Sequence, residues 1–574
     1  MPRDANLQDY DDARRSFSWD DLNEAADWEA PERLNVAHET VDRHADDRSK
    51  VALYYHGTDG ERETLTFWEL SERSNRFANV LDDLVGEGDR VFSYMPRIPE
   101  HYVAMVGTLK RGAVWGSVNE RFGPDGIAYR LDDCDAKVVV TTPENRDTVG
   151  KALEDAPSVE HVVVVSDDGT GLRPGDLSYH GVAEAADREY DAAETGGEDD
   201  ALLYYTSGTT GPAKGVLHKQ RWIAGVAATQ RYAVDLQEGD LYWSTGDLGW
   251  LTGAINTLGA WFWGASLFTY EGEFDAEAWA DLLDEYPITV LFSVPTAYRM
   301  LRTNDESLVD ASLDLRHALS IGEPLSAGVV EWGEETLGVT IHDTYGQTET
   351  GNMIINNYPS MAIKPGSMGK PLPGIEADVV DPDTGERLPP GETGEIAQRG
   401  DYPCFFAEYW QKPEKTADCF VDGPDGGERS DATRTSVDGE SAGEWYLSGD
   451  LAHTDEDGYF WFEGRADDVI ISSGYRIGPF EVESSLGEHA AVAEGAVVPK
   501  PDEQRGTIVK AYVTLTDEYE PSESLVEEIQ GHVKEDLAAH EYPREIEFVD
   551  ELPKTVTGKI RRTELRDRTE DPTS

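Results

Sequence analysis

Apolar and polar positions follow different rhythms along this chain, and the changes of rhythm mark its parts. From residue 66 to about 350, helical stretches such as FWELSERSNRFANVLDDL alternate with short apolar runs, DRVFSYM, AKVVVTT, VEHVVVVS and ITVLFSVPTAYRML. Apolar runs this short, bounded by polar turns, predict strands buried on both faces, and their alternation with helices predicts an α/β domain with a largely parallel sheet. From 365 the texture changes to short strands and turns, PGSMGKPLPGIEADVVDPDTGERLPPGETGEIAQRG, which predicts a small β-rich lobe. Beyond GRADD at 464–468, the runs AVAEGAVVPK, VKAYVTL and EIEFVDELP have helical segments between them and predict a compact α+β module. Residues 1–60 are polar and acidic and read as an extension packed on the larger body. The expected division is 1–60, 61–465 and 466–574; 574 residues are too many for one ordinary core.

Two stretches need separate readings. Leu248 to Tyr270 carries no charged side chain and is long enough to span a bilayer, but its glycines, threonines and Asn256 predict a buried helix and strand instead. The segment DGPDGGERSDATRTSVDGESAGE at 422–444 reads as an exposed acidic loop without chemistry.

Composition adds a constraint on environment. Against 114 acidic residues stand 49 basic ones, a formal charge of −65. Such self-repulsion opposes folding at low ionic strength, whereas molar salt shortens the Debye length to roughly 3 Å and screens it. The expected setting is a salt-rich cytoplasm of haloarchaeal kind. Disorder is excluded for most of the chain by 39% hydrophobic and 10% aromatic residues. Nucleic acid is excluded as a partner because phosphate contacts require a basic surface. Cys134, Cys404 and Cys419 have neither paired nor metal-ligand spacing, which suits a reducing interior. The opening MPRDANLQDYDDARR has no basic leader or apolar stretch, so nothing in it marks secretion.

The chemistry enters at residues 205–215, YTSGTTGPAKG, inside a stretch from Ala201 to Val234 that contains no Asp or Glu. Glycines without Cβ atoms let backbone N–H groups converge on an anion, and the hydroxyls add donors. The run is not a Walker A box, because Ala213 precedes Lys214 and Gly215 follows it. Taken alone it also fits a tight solvent-facing turn.

Five further segments follow in order: SIGEPL at 320, YGQTETG at 345, YLSGD at 446, FEGRADDVIISSGYRIGP at 462 and LPKTVTGK at 552. Together with 205–215 they resemble the adenylate-forming superfamily over nearly the whole chain, most closely its AMP-forming medium-chain acyl-CoA synthetases. The resemblance implies a large multi-lobed N-terminal domain, with two α/β subdomains and a small β-rich lobe, and a smaller mobile C-terminal domain. It implies ATP, Mg²⁺ and coenzyme A as cosubstrates and a small-molecule carboxylic acid as substrate. Thr206, Ser207, Gly208, Thr209, Thr210, Gly211 and Lys214 match the loop that closes over the ATP phosphates. Glu323 and Pro324 match the segment beside adenine, Tyr345 the ring against the purine, Thr348 the hydroxyl on the α-phosphate and Glu349 the magnesium ligand. Asp450 and Arg465 match the pair that holds the ribose, and Lys559 matches the lysine that reaches the carboxylate and α-phosphate. Asp467 falls at the hinge position, Gly474 at the pantetheine passage, and Arg476 at a candidate phosphate contact.

These matches imply two half-reactions, formation of an acyl-adenylate and its capture by the thiol of CoA. A carrier-protein ligase shares the first half. A catalytically dead relative is expected to have lost Lys559, Glu349 or the phosphate loop, and this chain keeps all three. In acetyl-CoA synthetases of the family a tryptophan immediately before Gln-Thr-Glu floors the acyl pocket; here the position is Gly346. The reading is an open pocket bordered by Trp250 and Leu251, for acids of about four to ten carbons; the alternative is that Gly346 serves only the turn between Tyr345 and Gln347, with Trp250 or Leu251 filling the space, as suits a short-chain ligase.

Overall fold

The alternation of helices and apolar runs is realised as two sheets, of nine and eight strands, in a computed structural model of the chain. The structure describes residues 5–28, 30–166, 169–206, 212–308, 311–399, 402–423, 444–466, 468, 470–472, 475–502, 506–516, 519–537, 542–554 and 560–570. Across the nine-stranded sheet the order is Lys370–Pro371, Asn352–Asn356, Ile341–Gln347, His317–Ile321, Val290–Ser293, Leu241–Ser244, Ser266–Tyr270, Val51–His56 and Arg62–Thr66. The strands from Ile341–Gln347 to Val51–His56 are parallel, and the outer ones are antiparallel. The second sheet runs Glu408–Tyr409, Lys214–Lys219, Asp200–Thr206, Val114–Ser117, Arg90–Tyr94, Val138–Thr141, His161–Val164 and Leu177–Ser178. Lys214–Lys219 is antiparallel to both strands beside it, and the pairs from Asp200–Thr206 to Leu177–Ser178 are parallel.

Local sequence accounts for these elements. The valine-rich strand Val138–Thr141 is buried at every position, as parallel strands covered on both faces must be. Helix Phe67–Asp82 starts where Thr66 and Glu69 form a reciprocal capping box. Helices Pro99–Lys110, Trp222–Tyr232 and Leu251–Phe262 are buried around almost their whole circumference. One continuous core joins residues of these helices to Leu53, Tyr242 and Val290 of one sheet and to Val91, Trp115 and Val138 of the other. The uncharged stretch from Leu248 to Tyr270 is thus a buried helix and the strand Ser266–Tyr270, as expected. Among the described residues no helix is long and apolar enough to cross a membrane.

The β-rich lobe is a five-stranded antiparallel sheet that includes Gly394–Arg399, Glu444–Thr454 and Phe460–Arg465. Most of the acidic segment 422–444 lies outside the described residues, but its two ends are paired strands, Asp422 opposite Glu444. The C-terminal module has its own core, centred on Val482, Leu486, Val497, Val513 and Ile529.

One boundary requires correction. Strand Val51–His56 pairs with Ser266–Tyr270 inside the nine-stranded sheet, so an extension ending at residue 60 cuts through the main body. The preceding segment packs on the main body, with Leu7, Tyr10, Leu22 and Leu34 buried in its core. The polar texture of 1–60 hid these isolated anchors. All three cysteines are free, and Cys134 and Cys404 are buried.

Candidate active site

A cavity of about 1620 Å³ opens at the carboxyl ends of the strands Asp200–Thr206, His317–Ile321 and Ile341–Gln347. Parallel α/β sheets place ligands there, where successive strand-to-helix turns diverge. Its rim includes Asp450 and Arg465 of the β-rich lobe and Glu483, Ile560 and Arg562 of the C-terminal module. Three separately predicted parts of the chain therefore meet around one space.

The turn after Ile341–Gln347 builds one wall. The Tyr345 hydroxyl donates to Asp450 Oδ2 at 2.7 Å, and Gln347 Nε2 donates to the same oxygen at 2.7 Å. Gln347 is itself fixed, since its Nε2 also reaches the Ser448 carbonyl at 2.8 Å and its Oε1 accepts from the Tyr446 hydroxyl at 2.9 Å. Asp450, only 6% exposed, stands opposite Arg465 across the strand pair, with Arg465 Nη1 at 4.0 Å from Oδ1. Thr348, Glu323 and Pro324 line the same cavity. The Glu323 carboxylate is held by Thr296 Oγ1 at 2.7 Å and Arg299 Nη2 at 2.8 Å.

A second wall joins Glu349 to Lys214. The Tyr409 hydroxyl donates to Glu349 Oε1 at 2.7 Å, and Lys214 Nζ lies 3.9 Å from the centre of the Tyr409 ring. Lys214 starts the strand that returns from the glycine-rich turn, opposite Thr206. Tyr409 was not singled out from the sequence.

Asp343 is the other residue that sequence reasoning missed. It sits two positions before Tyr345, is 5% exposed, lines the cavity, and its Oδ1 has no hydrogen-bond partner among the described residues. Burial pushes its carboxyl well above the usual carboxylate range. The available signal was an acid inside the strand IHDTYGQ, where buried neighbours leave a charge little reason to be.

Several expected residues, Ser207, Gly208, Thr209, Thr210, Gly211, Asp467, Gly474 and Lys559, lie outside the described residues, as does the side chain of Arg476. The chain on either side of 555–559 is described: Lys554 bridges Ile560, the Arg561 N–H donates to the Pro553 carbonyl at 2.8 Å, and Ile560 borders the cavity.

Trp250, Leu251 and Ile255 form an apolar part of the cavity wall at the start of helix Leu251–Phe262. The Trp250 ring leans on Phe122 with centroids 5.8 Å apart. Gly346 also borders the cavity, but the reason for its being glycine differs from the one expected. A Cβ there meets the Asn352 carbonyl oxygen at 2.1 Å, because the register between Ile341–Gln347 and Asn352–Asn356 shifts at Tyr345 and Gly346 and draws the strands together. The missing side chain points at backbone, so its absence makes room for the neighbouring strand.

Comparison with known proteins agrees with this layout. The sequence model described as AMP-binding enzyme matches residues 39–410, and that of the AMP-binding enzyme C-terminal domain matches 481–559. An acetyl-coenzyme A synthetase of Bacillus subtilis is 43% identical over 98% of this chain and 95% of its own length. The mouse mitochondrial acyl-coenzyme A synthetase ACSM4 is 39% identical over 94% of this chain and 91% of its own. Among solved structures, an acyl-CoA synthetase of Brucella canis, 35% identical, covers 99% of this chain and 100% of its own with a TM-score of 0.74. The anthranilate CoA ligase AuaEII in complex with anthranoyl-AMP, 30% identical, aligns over 96% of this chain and 99% of its own with a TM-score of 0.82.

Proposed function

The chain belongs to the AMP-binding enzymes, and from that premise we propose that it is an AMP-forming acyl-CoA synthetase, an acid–thiol ligase whose one cavity serves both half-reactions. The observation that carries this is the convergence of Asp450, Tyr345, Thr348, Glu349 and Lys214 on a space also bordered by Ile560, next in sequence to Lys559. In the first half-reaction a carboxylate oxygen of the acid attacks the α-phosphorus of ATP, the bond to the β-phosphate breaks, and pyrophosphate leaves. In the second, the CoA thiol loses its proton and its sulfur attacks the acyl carbon, expelling AMP.

Each residue has a role within that scheme. Asp450 accepts from the ribose hydroxyls, as a carboxylate with two acceptor oxygens can. Tyr345 covers the purine, and Asp343 offers an oxygen to its exocyclic amine. Thr348 donates to the α-phosphate, Lys214 and the loop from Thr206 to Gly211 hold the outer phosphates, and Lys559 offsets the charge that develops during attack. Asp467 serves as the hinge, with Gly474 and Arg476 beside the incoming thiol substrate.

The donor set also fits magnesium. Among the described residues no cluster of three or more His, Cys, Asp or Glu side chains could hold a metal by itself. Glu349 offers a single carboxylate whose Oε2 makes no hydrogen bond to them, and one carboxylate plus substrate phosphates is the usual environment of Mg²⁺. The ion, when bound, neutralises phosphate charge.

For the acid, the apolar wall of Trp250, Leu251 and Ile255 supports a medium chain of about four to ten carbons. The similarity to an acetyl-coenzyme A synthetase favours a second, short-chain reading. Comparing kcat/KM for acetate, butyrate, hexanoate and octanoate separates them: a maximum at butyrate or beyond is expected, and a maximum at acetate rejects the medium-chain reading. The charge of −65 supports a high-salt cytoplasm of haloarchaeal kind. Circular dichroism during dialysis from molar KCl to about 0.1 M tests this, with unfolding expected and a stable active fold contrary to it.

A further inference from the structure

We propose that Tyr409 is a positioning residue for adenylation, which keeps the carboxylate of Glu349 and the ammonium of Lys214 close together without letting them pair. The inference rests on the synthetase reading and deepens it at the phosphate end of the cavity. Opposite charges on a shared wall would ordinarily close into an ion pair, leaving neither available to a metal–phosphate ligand. Here no Lys214–Glu349 pair forms; the Tyr409 phenol contacts both instead. Its hydroxyl takes Glu349 Oε1 at 2.7 Å and its face takes Lys214 Nζ at 3.9 Å from the ring centre. Glu349 Oε2 makes no hydrogen bond and Lys214 no ion pair among the described residues, and both residues line the cavity.

The ring can serve as a spacer because it is itself fixed. Tyr409 is 2% exposed and pairs with Val216 across the sheet edge, so its backbone is tied to the strand that carries Lys214. Its N–H donates to Thr416 Oγ1 at 2.9 Å, and Phe406 packs on it with centroids 5.1 Å apart. The Phe406 N–H in turn donates to the Glu349 carbonyl at 3.0 Å, so the segment 406–409 grips Glu349 by backbone and carboxylate together. A hydrogen bond to an ionised acceptor is of the stronger kind, and a lysine over a ring is held without being neutralised.

The test is calorimetric titration of ATP into the full-length protein in molar KCl, with Mg²⁺ and with EDTA. Tyr409→Phe keeps the ring and removes the hydroxyl. It is expected to lose about tenfold in affinity with Mg²⁺ and little in EDTA, while thioester formation from supplied acyl-AMP is unchanged. Tyr409→Leu is expected to weaken binding in EDTA too, because the support under Lys214 is gone. In a Glu349→Gln background, Tyr409→Phe should cost nothing further. An unchanged Mg²⁺-dependent affinity in Tyr409→Phe, equal losses with and without Mg²⁺, or an undiminished loss in the Glu349→Gln background overturns the proposal. A parent protein that makes no acyl-AMP from any acid defeats the synthetase reading itself, whereas an active parent with an indifferent Tyr409→Phe defeats only this one.

Discussion

The two ends of the cavity are built on different principles. At the end proposed for the nucleotide, polar side chains are fixed by one another: Asp450 accepts from Tyr345 and Gln347, and Tyr409 contacts both Glu349 and Lys214. At the end proposed for the acid, shape is set by packing, with Trp250 against Phe122 and the backbone of Gly346 pressed toward Asn352. Prearranged polar groups favour one ligand geometry and need no reorganisation as charge develops. An apolar wall discriminates more weakly, since each methylene changes binding by only about 0.8 kcal/mol. The nucleotide end should therefore control rate and the acyl end substrate choice, and substitutions at one should leave the function of the other intact.

The largest expected effect tests the nucleotide end. Lys559→Ala is expected to lower acid-dependent ATP–pyrophosphate exchange by about 10² to 10³-fold while sparing CoA attack on supplied acyl-AMP. Equal loss of both, with the fold intact, removes the special role of Lys559 in adenylation. Next, Asp450→Ala removes the acceptor that the Tyr345 hydroxyl and the Gln347 amide share and should raise KM for ATP by about tenfold or more. Relative kcat/KM values across the acid series should not move; a changed acid preference would break the division between the two ends.

At the acyl end, Trp250→Ala is expected to favour octanoate over butyrate by up to about tenfold, with KM for ATP unaltered, because removing the indole lengthens the apolar space. No shift in preference means that Trp250 does not bound the chain. The smallest effect concerns stability. Burial raises the folded-state value of the Asp343 carboxyl above its unfolded one. The folded protein holds that proton more tightly, so the group costs stability as pH rises above the unfolded value of about 4, until the folded value is passed. Asp343→Asn, which has no charge to bury, should raise Tm by about 2 °C near pH 8, with the gain shrinking to nothing near pH 4. It should also weaken ATP binding. A variant with lower Tm at high pH contradicts the burial argument.

The same contrast explains what could be read from the sequence. Fold class and the buried strands followed from apolar runs such as HVVV and VVVT, whose composition directly expresses burial. Tyr345, Glu349, Asp450 and Lys214 were legible because their chemistry sits in short ordered segments, and the structure gathers them around one cavity. Tyr409 was not, since nothing in FAEYWQKPEKT marks a tyrosine as a spacer; its role arises from an edge strand pairing with a distant segment. Gly346 is hard to read for a related reason. A glycine in a sequence shows that a side chain is absent, but not the direction in which that side chain would have pointed, and here a strand irregularity sets that direction.

The most direct measurement is the identity and timing of the nucleotide products in molar KCl with ATP, Mg²⁺ and a four- to ten-carbon acid. Without CoA, the account predicts one equivalent of pyrophosphate per enzyme and an acyl-AMP retained on the protein. On adding CoA, it predicts continuous release of AMP and acyl-CoA in equal amounts. Formation of ADP and inorganic phosphate, or acyl-AMP that free CoA fails to convert to AMP and thioester, would contradict it.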